Sequence, residues 1–381
     1  MVNKRDFWSS RIEKAWEGRS VIWLYGVRRA GKTTLCQTLP DIEYFDCELP
    51  SARRVLEDPE SFLKSMSGKR VALDEIHRLD NPSQILKIAA DHFPETRILA
   101  TGSSTLQAST KFRDTLTGRK FSIWLTPLMS LDLQSFGQED IGRRMHKGGL
   151  PPFFLGLTDQ ERDYEEWIDS FWAKDIQQLF HLERRAAFQK FLELILMQSG
   201  GVFEATAFAT PCEISRTTVA NYLSVLASTQ VAHVIRPYST HKATEIVAAP
   251  KVYGFDSGFV CEYRGWKTLR PEDYGILWEH IVLNEMHARR PTGKIRYWRD
   301  KGGHEVDFVI EHRSADLTAI ECKWSVGSFR ADHLEIFRKN YSRGENWCVA
   351  HDVKKTYERR FGNILVKCMN LNAFGDECEK I

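Results

Sequence analysis

The sequence predicts an α/β protein in three parts, opening with a parallel sheet built around a phosphate-binding loop. Three observations carry this reading. Gly26-Val27-Arg28-Arg29-Ala30-Gly31-Lys32-Thr33 fits the P-loop pattern at every fixed position. Apolar runs alternate with helical patterns from residue 20 to about 125, as parallel strands with helical crossovers require. Far downstream, Asp307, Glu321 and Lys323 set two acids and a lysine on what read as partner strands.

The loop follows the apolar run Val21-Ile22-Trp23-Leu24-Tyr25 and leads into a helix opened by Thr33, Thr34 and Leu35. Gly26 and Gly31 let the backbone wrap around phosphates, and the N–H groups from Val27 through Thr34 with the helix N-terminus favour negative charge. Lys32 is expected to reach the β- and γ-phosphates of ATP, with the Thr33 hydroxyl on Mg²⁺. Strands are predicted at 21–25, 43–45, 70–73, 97–101 and 121–125. The third ends in Asp74-Glu75, which delivers two carboxylates to the sheet edge that carries the loop. Asp74 is assigned to Mg²⁺ through its water shell, and Glu75 to orienting and deprotonating the attacking water. The fourth strand runs into Thr101-Gly102-Ser103-Ser104, which makes Thr101 or Ser103 the γ-phosphate sensor. Arg119 is the expected source of transition-state charge at a subunit boundary, with Arg113 in reserve.

The loop, the Asp74-Glu75-Ile76-His77 run, the Thr101–Ser104 turn and Leu116-Thr117-Gly118-Arg119 together resemble the prokaryotic AAA-type ATPases fused to a poorly characterised C-terminal region. The likeness continues through Gly148-Gly149-Leu150-Pro151, Lys174-Asp175-Ile176 and Tyr253-Gly254-Phe255-Asp256-Ser257-Gly258, and covers nearly the whole chain. Where that family commonly has Pro after the first loop glycine, this chain has Val27, a change expected to leave phosphate binding intact. The resemblance implies an ATPase architecture more firmly than a biological role.

Residues 1–130 are thus expected to form the ATPase domain, and 131–262 a helical connector with a winged-helix-like module. Trp167, Phe171, Trp172, Ile176 and Leu179 fall at helical spacing and read as core. Ser215 caps a predicted helix through Leu226 that resembles the second helix of a helix-turn-helix, with Val219, Tyr222 and Leu223 inward and Arg216, Thr217 and Asn221 outward. Segments 231–235 and 246–248 are the expected wing. A groove reader normally presents several Lys or Arg residues and this helix offers one, which counts against DNA contact; such modules also serve as protein-docking surfaces.

The last domain is predicted over 263–381. Asp307, Glu321 and Lys323 have the D…E-x-K order of the PD-(D/E)XK nucleases, and Glu279 on an amphipathic helix sits where such folds place a further acid. Glu321 and Lys323 are two apart on a strand and share a face. Glu279, Asp307, Glu321 and the Cys322 carbonyl form an oxygen set for a second Mg²⁺ or Mn²⁺, and Lys323 stands ready to orient water or steady the scissile phosphate. Trp298, Arg299, Lys301, His304 and Trp324 mix cations with aromatics nearby, which suits a nucleic-acid backbone.

A net charge of +2 gives no overall basic field, so any DNA contact must be local. No apolar run approaches the ~20 residues of a membrane span. The N-terminus lacks the apolar core of a signal peptide. The eight cysteines show no C-x-x-C pairing, against a zinc site or disulfide framework. A cytoplasmic protein is expected, alone, as a homo-oligomer or with a partner. It is read as an ATPase coupled to a DNA-engaging nuclease-like domain. The alternative is an ATP-driven switch controlling oligomerisation or docking, with that domain inert.

Overall fold

The computed structural model describes residues 3–102, 110–157, 160–180, 182, 184–240, 248–291, 293–312 and 316–381. Ser103, Ser104, Ile246 and Val247, with the side chains of Arg113 and Leu179, lie outside the described residues.

The chain divides into two compact units. The first comprises Met1–Asp140, Leu150–Arg185 and Ser228–Val231; the second comprises Ile141–Gly149, Ala186–Ala227 and Ala232–Ile381. The expected middle domain is therefore shared out between them. The physical reason is that the 150–185 segment packs on the phosphate loop, whereas the expected first wing strand hydrogen-bonds into the second unit's sheet.

In the first unit β1 (Val21–Tyr25), β2 (Ile42–Asp46), β3 (Arg70–Asp74), β4 (Arg97–Thr101) and β5 (Lys120–Trp124) form a parallel sheet ordered β2-β3-β4-β1-β5. The central strands are continuously apolar because helices cover both faces. Val21, Trp23, Val71, Leu73, Ile98 and Ala100 share a core with Ile85, Leu86 and Ala89 of the helix Pro82–His92. β4 lies between β3 and β1, so Asp74, Thr101 and Tyr25 end side by side at one sheet edge. The N-terminal helix Asp6–Gly18 buries Trp8, Ile12 and Trp16.

In the second unit β6 (Gly201–Val202), β7 (Ala232–Pro237), β8 (Lys251–Gly254), β9 (Ile295–Arg299), β10 (Glu305–Glu311), β11 (Leu317–Lys323), β12 (Asn346–Ala350), β13 (Tyr357–Phe361) and β14 (Ile364–Met369) form one mixed sheet. Its order is β13-β14-β12-β11-β10-β9-β7-β8-β6. The helix Arg216–Ser228 forms as expected, with the Ser215 hydroxyl accepting from Thr218 N at 3.0 Å and Val219, Tyr222, Leu223 and Leu226 buried. The helix Asp273–Arg289 departs from the amphipathic expectation. Eleven of its seventeen residues are buried, including Glu285 and Arg289, which pair at 3.2 Å.

The glycine-rich segments of the resemblance have a packing explanation. The buried Asp256 carboxylate caps the helix Ser257–Tyr263 through Gly258 N at 2.9 Å and also accepts from Gly149 N at 2.6 Å. A Cβ on Gly148 would lie 2.0 Å from Asp256 Oδ1, and one on Gly258 2.5 Å from the Lys147 carbonyl. Only glycine fits this crossing.

One buried histidine, His280, and two half-buried ones, His233 and His287, bear on how this unit responds to acid. His280 Nδ1 donates to the Ile276 carbonyl at 2.7 Å, which leaves Nε2 to accept from the Ser199 hydroxyl at 2.7 Å. Burial pushes His280 and His287 down to about 4, and His233 well below its ordinary value. The unfolded chain therefore binds protons that the folded one refuses. Stability is complete above about pH 6.5 and falls toward pH 4, by ~1.4 kcal/mol per pH unit for each such group. Calorimetry is expected to show the second unit's melting temperature dropping from pH 7 to 5, with a shallower slope in His280→Gln. A flat profile would refute the buried-neutral assignment.

Candidate functional site

The first unit's site grows from the turn after β1. Gly26 has φ +155°, and a Cβ there would sit 2.4 Å from the Leu125 carbonyl oxygen; Gly31 has φ +95°. The loop is thereby pressed against the strand that follows β5, and only glycine permits it. Arg5, missed in the sequence because it stands far upstream, braces the loop from behind by donating to the Ala30 carbonyl at 2.9 Å and the Thr126 carbonyl at 3.0 Å while pairing with Asp132 at 2.5 Å. Lys32 is buried, its Nζ donating to the Gly26 carbonyl at 2.9 Å and the Val27 carbonyl at 3.3 Å. Burial lowers its pKa, and Glu75, Asp175 and Asp74 act in the opposite direction.

Asp74 is pinned on both oxygens. Tyr44 OH, unforeseen from sequence, donates to Oδ2 at 2.7 Å, and the Thr101 hydroxyl donates to Oδ1. Thr101 is fully buried and also accepts from Glu75 N at 3.1 Å, so it ties the two acids' strand end to its own. It does not line the cavity, where the sensor of the γ-phosphate was expected. Glu75 takes a left-handed conformation, φ +52°, that turns its side chain out of the sheet. Burial pushes its carboxyl up. The hydrogen bond from His77 with the charges of Lys32, His77 and Arg28 outweighs this and holds it at about 2. An acid so strong is ionised at neutral pH and is better suited to orienting water than to taking its proton.

One cavity of about 510 Å³ gathers Arg28, Lys32, Thr33 and Glu75, and continues to Trp167, Phe171 and Asp175 of the 150–185 segment. Trp167 Nε1 donates to the Arg28 carbonyl at 3.1 Å, Arg28 faces Asp175 at 3.5 Å, and Arg29 pairs with Asp163 at 3.2 Å. Arg119 is not brought to this cavity. It immediately precedes β5, which runs parallel to β1 with Val21 level with Lys120, so it lies at the opposite sheet edge, where it pairs with Asp91 at 2.7 Å. Within its own chain it cannot reach the loop. The glycine cradle, the buried lysine and the Thr33 hydroxyl at the helix start fit a triphosphate with Mg²⁺.

The second unit gathers the other constellation. The β9–β10 register shifts between Val306 and Val309, a bulge that contains Asp307. Bulges commonly re-aim a side chain at a site. Here Asp307 Oδ2 accepts from Cys322 N at 2.7 Å, and Lys323 Nζ lies 3.6 Å from it and 2.6 Å from Glu321 Oε2. Glu321 Oε1 is buried without a hydrogen-bond partner. Burial, followed by the charge of Asp307, raises Glu321 to about 8 and Glu279 to about 7.

Two residues that sequence reasoning missed complete the cluster. Tyr253 OH donates to Glu279 Oε2 at 2.7 Å, and buried Lys251 pairs with Glu305 and is drawn up in pKa by Glu279 and Asp307. Both lie on the four-residue β8, whose alternation is too short to read. Among the described residues no group of three or more His, Cys, Asp or Glu is set to hold a metal. The Lys323 ammonium sits against these crowded carboxylates, 2.6 Å from Glu321 and 3.6 Å from Asp307. The expected cation–aromatic surface is only partly realised. Trp298 is core, and Trp324 is stacked between Tyr274 and His351 at 4.7 and 4.3 Å.

Comparison with known proteins agrees with the first unit's geometry. Residues 18–132 match the model of the AAA domain, 138–270 a domain of unknown function (DUF8612), and 274–371 another domain of unknown function (DUF4143). Two curated relatives, uncharacterized proteins of Mycobacterium bovis and Mycobacterium tuberculosis, are each 26% identical over 322 residues, 82% of this chain and 72% of theirs. Among solved structures, a Walker-type ATPase of Pyrococcus abyssi is 13% identical, covering 69% of this chain and 96% of that one, with a TM-score of 0.44. The Bacillus subtilis DNA clamp loader delta protein is 12% identical, covering 72% and 99%, with a TM-score of 0.27. The 18–132 region carries a P-loop nucleotide site. It is an AAA-type ATPase domain. Among the described residues no helix is long and apolar enough to cross a membrane.

Proposed function

We propose that this protein is a Mg²⁺-dependent ATPase whose nucleotide cycle governs a nuclease-like second unit acting on DNA. The observation that carries the ATPase half is the single cavity holding Lys32, Thr33 and Glu75, with Asp74 pinned behind it at the same strand edge. Bound there, Mg²⁺ supplies charge neutralisation across the β- and γ-phosphates. Thr33 and Asp74 are the residues placed to hold it. The loop N–H groups and Lys32 bind the triphosphate, and Glu75 orients water.

Support for the nuclease half is the meeting of Asp307, Glu321, Lys323 and Glu279 around an orphaned buried carboxylate oxygen. The Arg216–Ser228 helix, with Arg216, Thr217 and Asn221 outward, is the proposed contact with DNA. A specific observation favours the rival reading, a nucleotide switch with an inert second unit: Lys323 Nζ already sits on both Asp307 and Glu321, at 3.6 and 2.6 Å.

DNA cleavage with Mg²⁺ or Mn²⁺, assayed with ATP, with ADP and without nucleotide, separates the two. The nuclease reading expects cutting that falls at least ~10²-fold in Asp307→Ala and in Lys323→Ala. Wild-type protein that leaves DNA intact in every nucleotide state overturns it in favour of the switch.

A further inference from the structure

The P-loop carries two arginines, and they have different surroundings. Arg29 takes a left-handed turn, φ +61°, and its guanidinium lies 5.7 Å from the Phe153 ring centroid while pairing with Asp163 at 3.2 Å. It fastens the loop to the segment behind. Both arginines line the cavity, but Arg28 is the one without such a fastening to Phe153 and Asp163. Its charge is felt at both Glu75 and Lys32, the two groups that flank the γ-phosphate in the ATPase reading. All three line the same cavity.

Arg28 is also held on two sides. Its carbonyl accepts from Trp167 Nε1, which fixes the backbone, and one guanidinium nitrogen faces Asp175 at 3.5 Å. Asp175 is buried, at 3% side-chain exposure, on a π-helical turn, Trp172–Ile176, that interrupts the helical run of the 150–185 segment. Such turns cluster at functional sites. One long contact to one nitrogen steers a guanidinium and leaves most of its five donors for phosphate oxygens. Arg119, by contrast, sits at the far sheet edge with Asp91.

We propose that Arg28 is a catalytic arginine acting within its own chain, stabilising charge on the transferring γ-phosphoryl group, and that Asp175 is its positioning residue. The assignment rests on the ATPase reading. In the step concerned, a water oxygen forms a bond to the γ-phosphorus as the bond to the β–γ bridging oxygen breaks. The bond's electron pair leaves with ADP, and the water's proton passes to the phosphate released. Negative charge shifts toward the bridging and equatorial oxygens, where a planar guanidinium donates to two of them at once.

The test uses the full chain and three readouts: steady-state ATP hydrolysis, affinity for a fluorescent ADP analogue, and trapping of ADP with aluminium fluoride. Arg28→Ala is expected to lower kcat by ~10²–10³-fold and abolish the aluminium fluoride complex, while ADP affinity stays within about threefold. Arg28→Lys recovers little, because a point charge replaces the fork. Asp175→Asn lowers kcat by about tenfold with KM unchanged, a split that a merely structural role would not produce.

Mixing Arg28→Ala with Lys32→Ala protein distinguishes cis from trans action. No recovery is expected, and restored turnover overturns the proposal. So does wild-type turnover in Arg28→Ala, or loss confined to Arg119→Ala. If the wild-type protein hydrolyses no ATP at all, the ATPase reading is what fails.

Discussion

Lys32→Ala is expected to remove ATP turnover, with kcat down by at least ~10²–10³-fold, and to weaken nucleotide binding as well. Two losses combine. The first is the cation that meets the β- and γ-phosphates. The second is internal: Lys32 Nζ now donates to the Gly26 and Val27 carbonyls, and without it the loop loses two bonds that hold its curvature. Burial lowers the Lys32 pKa, and the charges of Glu75, Asp175 and Asp74 oppose that fall. Removing it leaves these acids repelling one another and the incoming triphosphate. Glu75→Gln separates the two losses, since it keeps the cradle and the lysine and is expected to bind ATP while turning it over slowly. Isothermal titration of each variant with ATP, alongside phosphate-release assays, reads both effects. Unchanged turnover in Lys32→Ala would defeat the assignment of this cavity to hydrolysis.

Much of this site was legible because its physics is local. Val21 through Leu24 are uniformly buried, and so are the ends of β3 and β4, so apolar runs marked the strands within a residue or two. A loop whose glycines are required by positive φ, with the acids one strand away, follows from the same pattern. Tertiary geometry was harder to read. Arg119 was expected to act at a subunit boundary, and parallel pairing puts a residue that precedes β5 at the edge opposite the residues that follow β1, so within its own chain it stands apart from the loop. Tyr44 and Arg5 gave no signal, and Asp175 and Tyr253 stood in motif segments without a legible role, since each acts through a partner at least 25 positions distant. The Asp307 bulge is likewise invisible in a run, Glu305-Val306-Asp307-Phe308-Val309, that reads as ordinary alternation.

The motif residues that function did not absorb lead to the second large effect. Asp256→Ala is expected to destabilise the second unit by ~3–5 kcal/mol, because it breaks a buried ionic cluster from one side. Asp256 accepts from Gly149 N and Gly258 N, and its charge faces Arg144, which is 4.0 Å away and itself buried. Burial raises the Asp256 carboxyl, with Arg144 and the backbone donors acting against that rise. Alanine removes the buried carboxylate that the guanidinium faces, while Arg144 keeps the Ser257 hydroxyl at 3.0 Å. It also leaves two buried N–H groups without an acceptor and removes a helix cap.

Asp256→Asn keeps an acceptor but drops the charge, and should fall between the two. For a unit of this size ~3–5 kcal/mol corresponds to a melting shift of about 6–20 °C. Scanning calorimetry with ATP present is the suitable measurement, since the nucleotide supports the first unit and leaves the second's transition free to move. If Arg144→Met paired with Asp256→Ala is more stable than Asp256→Ala alone, the cost lies in the buried Arg144 charge. A shift below about 2 °C in Asp256→Ala would mean that the glycine crossing, and not the carboxylate, holds this joint together.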